Sequence, residues 1–177
     1  MPPFPEDTWP LLTGGSTGSQ GTILSSAELH GHQCAVPPLP SIRNDHTTFV
    51  TADNHVVSCG GWTGERTHKC VTLSLASSTW EAGPVGDMTQ KRISASVVTT
   101  GLGTYVLGGE TEEAGPSSDF LPRGSMTFEA GPRLPYRLFE GCAAGVNSTS
   151  FLILGGKDPA TFSSLPYVWQ YLSLIHI

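Results

Sequence analysis

The sequence predicts an all-β chain built from four-stranded antiparallel units. Three observations predict it: a glycine pair returning at near-constant spacing, a second marker in phase with the pair, and an abundance of turn residues. The glycine pairs are Gly14-Gly15, Gly60-Gly61, Gly108-Gly109 and Gly155-Gly156, spaced 46, 48 and 47 residues apart, each after a short apolar run. A period of roughly 20–50 residues is the signature of stacked supersecondary units. Twenty residues beyond the first glycine of three pairs come Cys34, Trp80 and Phe128, each opening a segment that closes on proline. The tetrapeptide Glu-Ala-Gly-Pro occurs twice in those segments, 48 residues apart. With 21 glycines and 14 prolines in 177 residues, the chain is rich in turns without being of low complexity.

Each unit reads as four strands. Small or β-branched runs at residues 47–51, 94–100 and 141–146 predict a first strand, followed by the turn residues Asp53-Asn54, Gly101-Leu102-Gly103 and Asn147-Ser148. The apolar runs 11–13, 56–59, 105–107 and 151–154 predict a second strand, continuous rather than alternating, as suits burial on both faces. Residues 27–29, 71–75 and 167–171 predict a third, and the segments opening at Trp80 and Phe128 a fourth. Such a sheet cannot bury both faces alone and must stack on its neighbours around an axis. The expectation is an incomplete β-propeller with about three to four blades present. The glycine pair then marks a crowded exit needing positive φ, and the aromatic fills the wedge between blades. A basic residue, Arg43, Arg92 or Arg137, precedes each following first strand.

These residues resemble the kelch repeat family, whose units run from a basic residue through an apolar strand to a glycine pair and on to a tryptophan. Ser26-Ala27-Glu28-Leu29 is similar to the family's third strand, where a glutamate between apolar residues is common. The resemblance covers residues 11–171, in units of about 11–45, 46–92, 93–140 and 141–171. It departs from the family where Phe128 and Cys34 stand in place of tryptophan and where the tyrosine before it is absent. Residues 172–177 resemble a translated sequencing adapter and read as a non-native tail, with the fourth-strand marker of the last unit falling inside it.

Only 14% of the residues are charged and the net charge is −6, with no basic run longer than Lys91-Arg92, so a nucleic-acid surface is not expected. No stretch approaches the roughly 20 apolar residues of a membrane span. Residues 1–7 lack the basic and apolar regions of a secretory signal. His30 and His32 alternate on one face with Cys34 in reach, which reads as a metal site or as an exposed connection. The four cysteines have no zinc-ribbon spacing. Cys59 and Cys70 flank the hairpin after the second strand and could bridge across it; Cys34 could instead reach Cys59, or the thiols stay free. Asn147-Ser148-Thr149 is an N-glycosylation triplet in a predicted turn and, with the even cysteine count, leans toward an extracellular protein.

No nucleophile motif, metalloprotease motif or phosphate-cradling loop occurs, so no catalytic, cofactor or metal residue is assigned. The expected function is a non-catalytic scaffold for a protein partner. The acidic stretch 110–121, with Glu110, Glu112, Glu113 and Asp119, is the expected contact loop and would suit a basic partner. The resemblance also implies two alternatives. One is a BTB-linked substrate adaptor of a ubiquitin ligase; the other is a propeller enzyme of the copper radical oxidase or sialic-acid epimerase kind.

Overall fold

The computed structural model describes residues 11–17, 22–29, 36–74, 76–111 and 117–172, and all regular structure among them is β. The first unit holds β1 (Leu11–Thr13), β2 (Ser16–Thr17), β3 (Thr22–Ile23) and β4 (Ala27–Leu29), with β1 paired to β4 and β2 to β3. The second is a four-stranded antiparallel sheet of β5 (Thr47–Val50), β6 (Val56–Cys59), β7 (Cys70–Ser74) and β8 (Thr79–Glu81) in chain order. The third repeats this order with β9 (Ser96–Thr99), β10 (Gly103–Leu107), β11 (Ser118–Pro122) and β12 (Glu129–Ala130). The last sheet has three strands, β13 (Cys142–Asn147), β14 (Ser150–Leu154) and β15 (Val168–Leu172). Leu172, assigned to the tail on sequence, pairs with Ser150 as the end of β15. Among the described residues no helix is long and apolar enough to cross a membrane.

Three apolar clusters lie between successive sheets, because each strand pair sends alternate side chains to opposite faces. Trp80 and Val71 pack on Leu39 from the first unit, and the Trp80 indole N–H donates to the Pro37 carbonyl at 2.8 Å. Phe49, Val57, Cys59 and Cys70 face Val106, Leu121 and Phe128 between the second and third sheets. Val98, Tyr105 and Leu107 face Phe151 and Ile153 between the third and fourth. All five residues of β10 are buried, as its continuous apolar run requires. The first strands also meet one another, β5 beside β9 and β9 beside β13.

The glycine pair joins each sheet to the next. Both glycines of all four pairs have positive φ, +63° and +85° at Gly108 and Gly109. In the first three pairs the second glycine donates its N–H forward: Gly15 to Arg43, Gly61 to Arg92, and Gly109 to Leu138, at 2.8–2.9 Å. A Cβ on Gly108 would stand 2.4 Å from the Leu138 carbonyl oxygen, so only glycine fits there. The third basic position thus shifts by one residue: Leu138 stands where Arg43 and Arg92 stand, and Arg137 is exposed.

Candidate functional site

Two ends of the sheets differ in what they carry. At one end lie short hairpin turns, around Asn54, Gly101 and Ser148. At the other, longer connections run from the glycine pairs to the third strand, over residues 60–69 and 155–167 and, in the middle unit, over the described residues 108–111 and 117. The bases of these loops are tied to the segment entering the sheet. Trp62 bridges both Asn44 and Arg66, Ile93 bridges Glu110, and Phe139 bridges Lys157, which bridges Ser164 in turn. The base is therefore repeated from one sheet to the next.

This end carries aromatic and charged side chains, most of them at the loop bases. Trp62 and Phe162 are 38% and 67% exposed. Phe162 meets Phe139 edge to face at 5.6 Å, and the Lys157 ammonium lies 6.0 Å over the Phe139 ring while pairing with Glu140 at 2.6 Å. Arg66 pairs with Glu110 across two neighbouring loops. Lys69 binds Asp87 at 2.7 Å, and the Cys70 N–H donates to the same carboxylate at 3.0 Å. Partial burial raises the Asp87 pKa, but these hydrogen bonds and the Lys69 and His68 charges outweigh it and hold the carboxyl below its usual range.

The acidic contact loop expected over residues 110–121 needs correction. Glu110 sits at the loop base with its carboxylate engaged by Arg66, so its charge is matched. Asp119 is not on a loop; it lies in β11 with its side chain 0% exposed, ion-paired to Arg92, itself 1% exposed. Its other oxygen accepts from the Thr89 backbone N–H at 2.7 Å and from the Thr89 hydroxyl. A carboxylate this deep is retained only with such partners, which is why it cannot contact a ligand. Glu112 and Glu113 lie outside the described residues, as do His30, His32 and Cys34.

Cys59 and Cys70 form a disulfide, directly opposite each other in the β6–β7 register. This excludes the alternative bridge from Cys34 to Cys59. Cys142 is free and exposed. Trp80 and Phe128 are both buried between sheets. Asn147 is exposed in the β13–β14 turn. Among the described residues no group of three His, Cys, Asp or Glu side chains is placed to hold a metal ion. A cleft of about 500 Å³ between the last two sheets is lined by Leu102, Tyr105, Phe120, Pro122, Ala130, Gly131, Pro132 and Tyr171, without a charged side chain.

Compared with known protein families and with curated proteins, the chain matches none. The reading of this surface accordingly rests on its geometry.

Sequence reasoning missed two features. One is the buried Arg92–Asp119 pair, whose partners are 27 residues apart. A signal for it exists: Glu28 opposite Leu12 and Asp119 opposite Val106 occupy the same register position, two residues before the glycine pair. The other is Phe162, in a loop with no phased marker.

Proposed function

We propose that this chain is part of a kelch-type β-propeller that acts as a non-catalytic scaffold, binding a protein partner on the end where the glycine-pair loops emerge. The observation that carries this reading is the emergence of three connections from identically phased bases at one end, with different side chains at each base. A rigid repeated base with variable tips is how repeat scaffolds present a recognition surface. Exposed aromatics at Trp62 and Phe162 beside the Arg66–Glu110 and Lys157–Glu140 pairs have the mixed character of protein interfaces, where aromatics and arginine dominate. The adjacency of first strands β5, β9 and β13 supports the propeller, since the innermost strands of its blades converge on one axis. The Cys59–Cys70 disulfide favours an extracellular scaffold over a ubiquitin-ligase adaptor in the reducing cytosol.

The test is affinity capture of extracellular proteins on the immobilised chain, with quantitative comparison of variants. Binding of one partner should fall at least tenfold in Trp62→Ala and Phe162→Ala at unchanged melting temperature, and stay unchanged in Arg123→Ala at the opposite end. Equal retention by all three variants contradicts the loop-end assignment. A crystal structure in which β5, β9 and β13 fail to converge on a common axis contradicts the propeller.

A further inference from the structure

We propose that Asn147 is an N-glycosylation site, taking an oligosaccharide from a lipid-diphosphate donor. The triplet Asn147-Ser148-Thr149 closes the β13–β14 hairpin, where Asn147 and Ser148 are exposed and Thr149 is half-buried. Asn147 Oδ1 accepts the Thr149 backbone N–H at 2.9 Å and the Thr149 hydroxyl at 3.2 Å. Both bonds engage the amide oxygen and neither uses Nδ2. Hydrogen bonds to Oδ1 draw charge onto that oxygen and make the Nδ2 protons easier to lose, the change that a nucleophilic amide nitrogen needs. Ser148 backs onto the neighbouring β9–β10 turn, where a Cβ on Gly101 would stand 2.9 Å from Ser148 Cβ, so the turn is held from behind while Asn147 faces out.

A second, independent observation places the chain where such a transfer occurs. Cys59 and Cys70 are 1% and 3% exposed and bridged, and a buried disulfide forms in the oxidising secretory compartment that also holds the glycan donor. In the transfer, the Asn147 Nδ2 to sugar C1 bond forms and the sugar C1 to phosphate oxygen bond breaks. The amide gives up one proton to the transferase base, and the lipid diphosphate leaves with the electron pair. The inference needs the hairpin and the disulfide alone, so it stands or falls separately from the scaffold reading. A glycan at Asn147 would cover the short-turn end and leave the glycine-pair loops bare.

The experiment is translation of the full chain behind a cleavable secretory leader with microsomes, carrying a second acceptor triplet fused after residue 177 to report entry into the lumen. Two glycans are expected on the parent and one on Asn147→Gln and on Thr149→Ala, while Thr149→Ser and Ser148→Ala keep two. Glycosidase release in heavy-oxygen water should label position 147 as aspartate. Modification of the fused triplet alone overturns the proposal. An unmodified chain whose Cys59–Cys70 bridge has formed overturns it equally, because that bridge reports the same compartment.

Discussion

Arg43 and Arg92 occupy one position in successive sheets and are both buried, yet their guanidinium groups are matched in different ways. Each backbone carbonyl accepts the second glycine of the preceding pair, and each side chain reaches over the mouth of its own sheet. Arg92 binds the Gly108 carbonyl at 2.6 Å, the Ser117 carbonyl at 3.2 Å and the Asp119 carboxylate at 2.6 Å. Arg43 binds the Gly60 and Lys69 carbonyls at 3.2 Å, but Val71 stands where Asp119 would be, and its Nε has no partner among the described residues. Burial accordingly lowers the Arg43 pKa. At the third such position Leu138 removes the cation altogether and joins the apolar cluster. One place in the fold thus accepts an ion pair, a cation on carbonyls, or a leucine. The backbone stitch is the constant, and the side-chain chemistry above it is interchangeable provided that it closes on itself.

The largest expected effect comes from breaking the ion pair on one side. Asp119→Val should destabilise the chain by about 3–5 kcal/mol in urea unfolding, because Arg92 and both Thr89 donors lose their acceptor inside the protein. The double variant Arg92→Leu with Asp119→Val should recover part of that, since it removes the buried cation while the Thr89 donors stay without their acceptor. Additive losses in the cycle would mean that the two junctions are not equivalent. Next in size, Gly108→Ala should cost roughly 2–4 kcal/mol, from positive φ plus collision with a carbonyl that Gly109 already holds. Gly155→Ala, whose nearest contact is Leu165 O at 3.4 Å, should cost only about 1 kcal/mol; equal melting shifts would separate the stitch from the glycine pair.

A further effect, similar in size to that of Gly108→Ala, is electrostatic and belongs to the Arg43 junction. Burial, then the Arg43 charge, lowers the His46 pKa to about 4, and the ring bonds Thr13 Oγ1 at 2.8 Å. The unfolded chain takes up the proton near pH 6.5, before the folded one does, so stability falls as pH drops from about 6.5 to about 4. The loss is roughly 3 kcal/mol at most, the equivalent of that shift. His46→Ala installs the residue that Ala95 supplies next to Gly109, and should remove this component from a stability-versus-pH series.

Most of the sheet architecture was legible because it rests on local signals. The apolar runs of β6, β10 and β14 end on glycine pairs, and Trp80 and Phe128 keep phase with them, so burial could be read along the chain. What failed needed partners distant in sequence. Asp119 looked like part of an acidic loop because aspartate is a poor strand former and follows Gly115-Pro116-Ser117-Ser118. Only Arg92, brought in from the preceding connection, makes that strand position tolerable. Arg137 reads in the sequence as the third basic position, although it stands 18 residues before the next glycine pair against 17 and 16 for Arg43 and Arg92. The loop-end surface was invisible for the same reason: the Arg66–Glu110 pair joins two loops only after the sheets stack.

The forward-pointing glycine amides have a consequence for how the molecule breathes. The N–H groups of Gly61 and Gly109 are bonded to the next sheet rather than to their own, so fraying of a single strand leaves them protected. Their exchange with solvent deuterium requires two sheets to part, whereas the amide of Gly60 or Gly108, bonded within its sheet, can open alone. The Gly60-Gly61 and Gly108-Gly109 pairs are therefore built-in gauges with adjacent channels, one reading the cohesion of a sheet and the other its coupling to its neighbour.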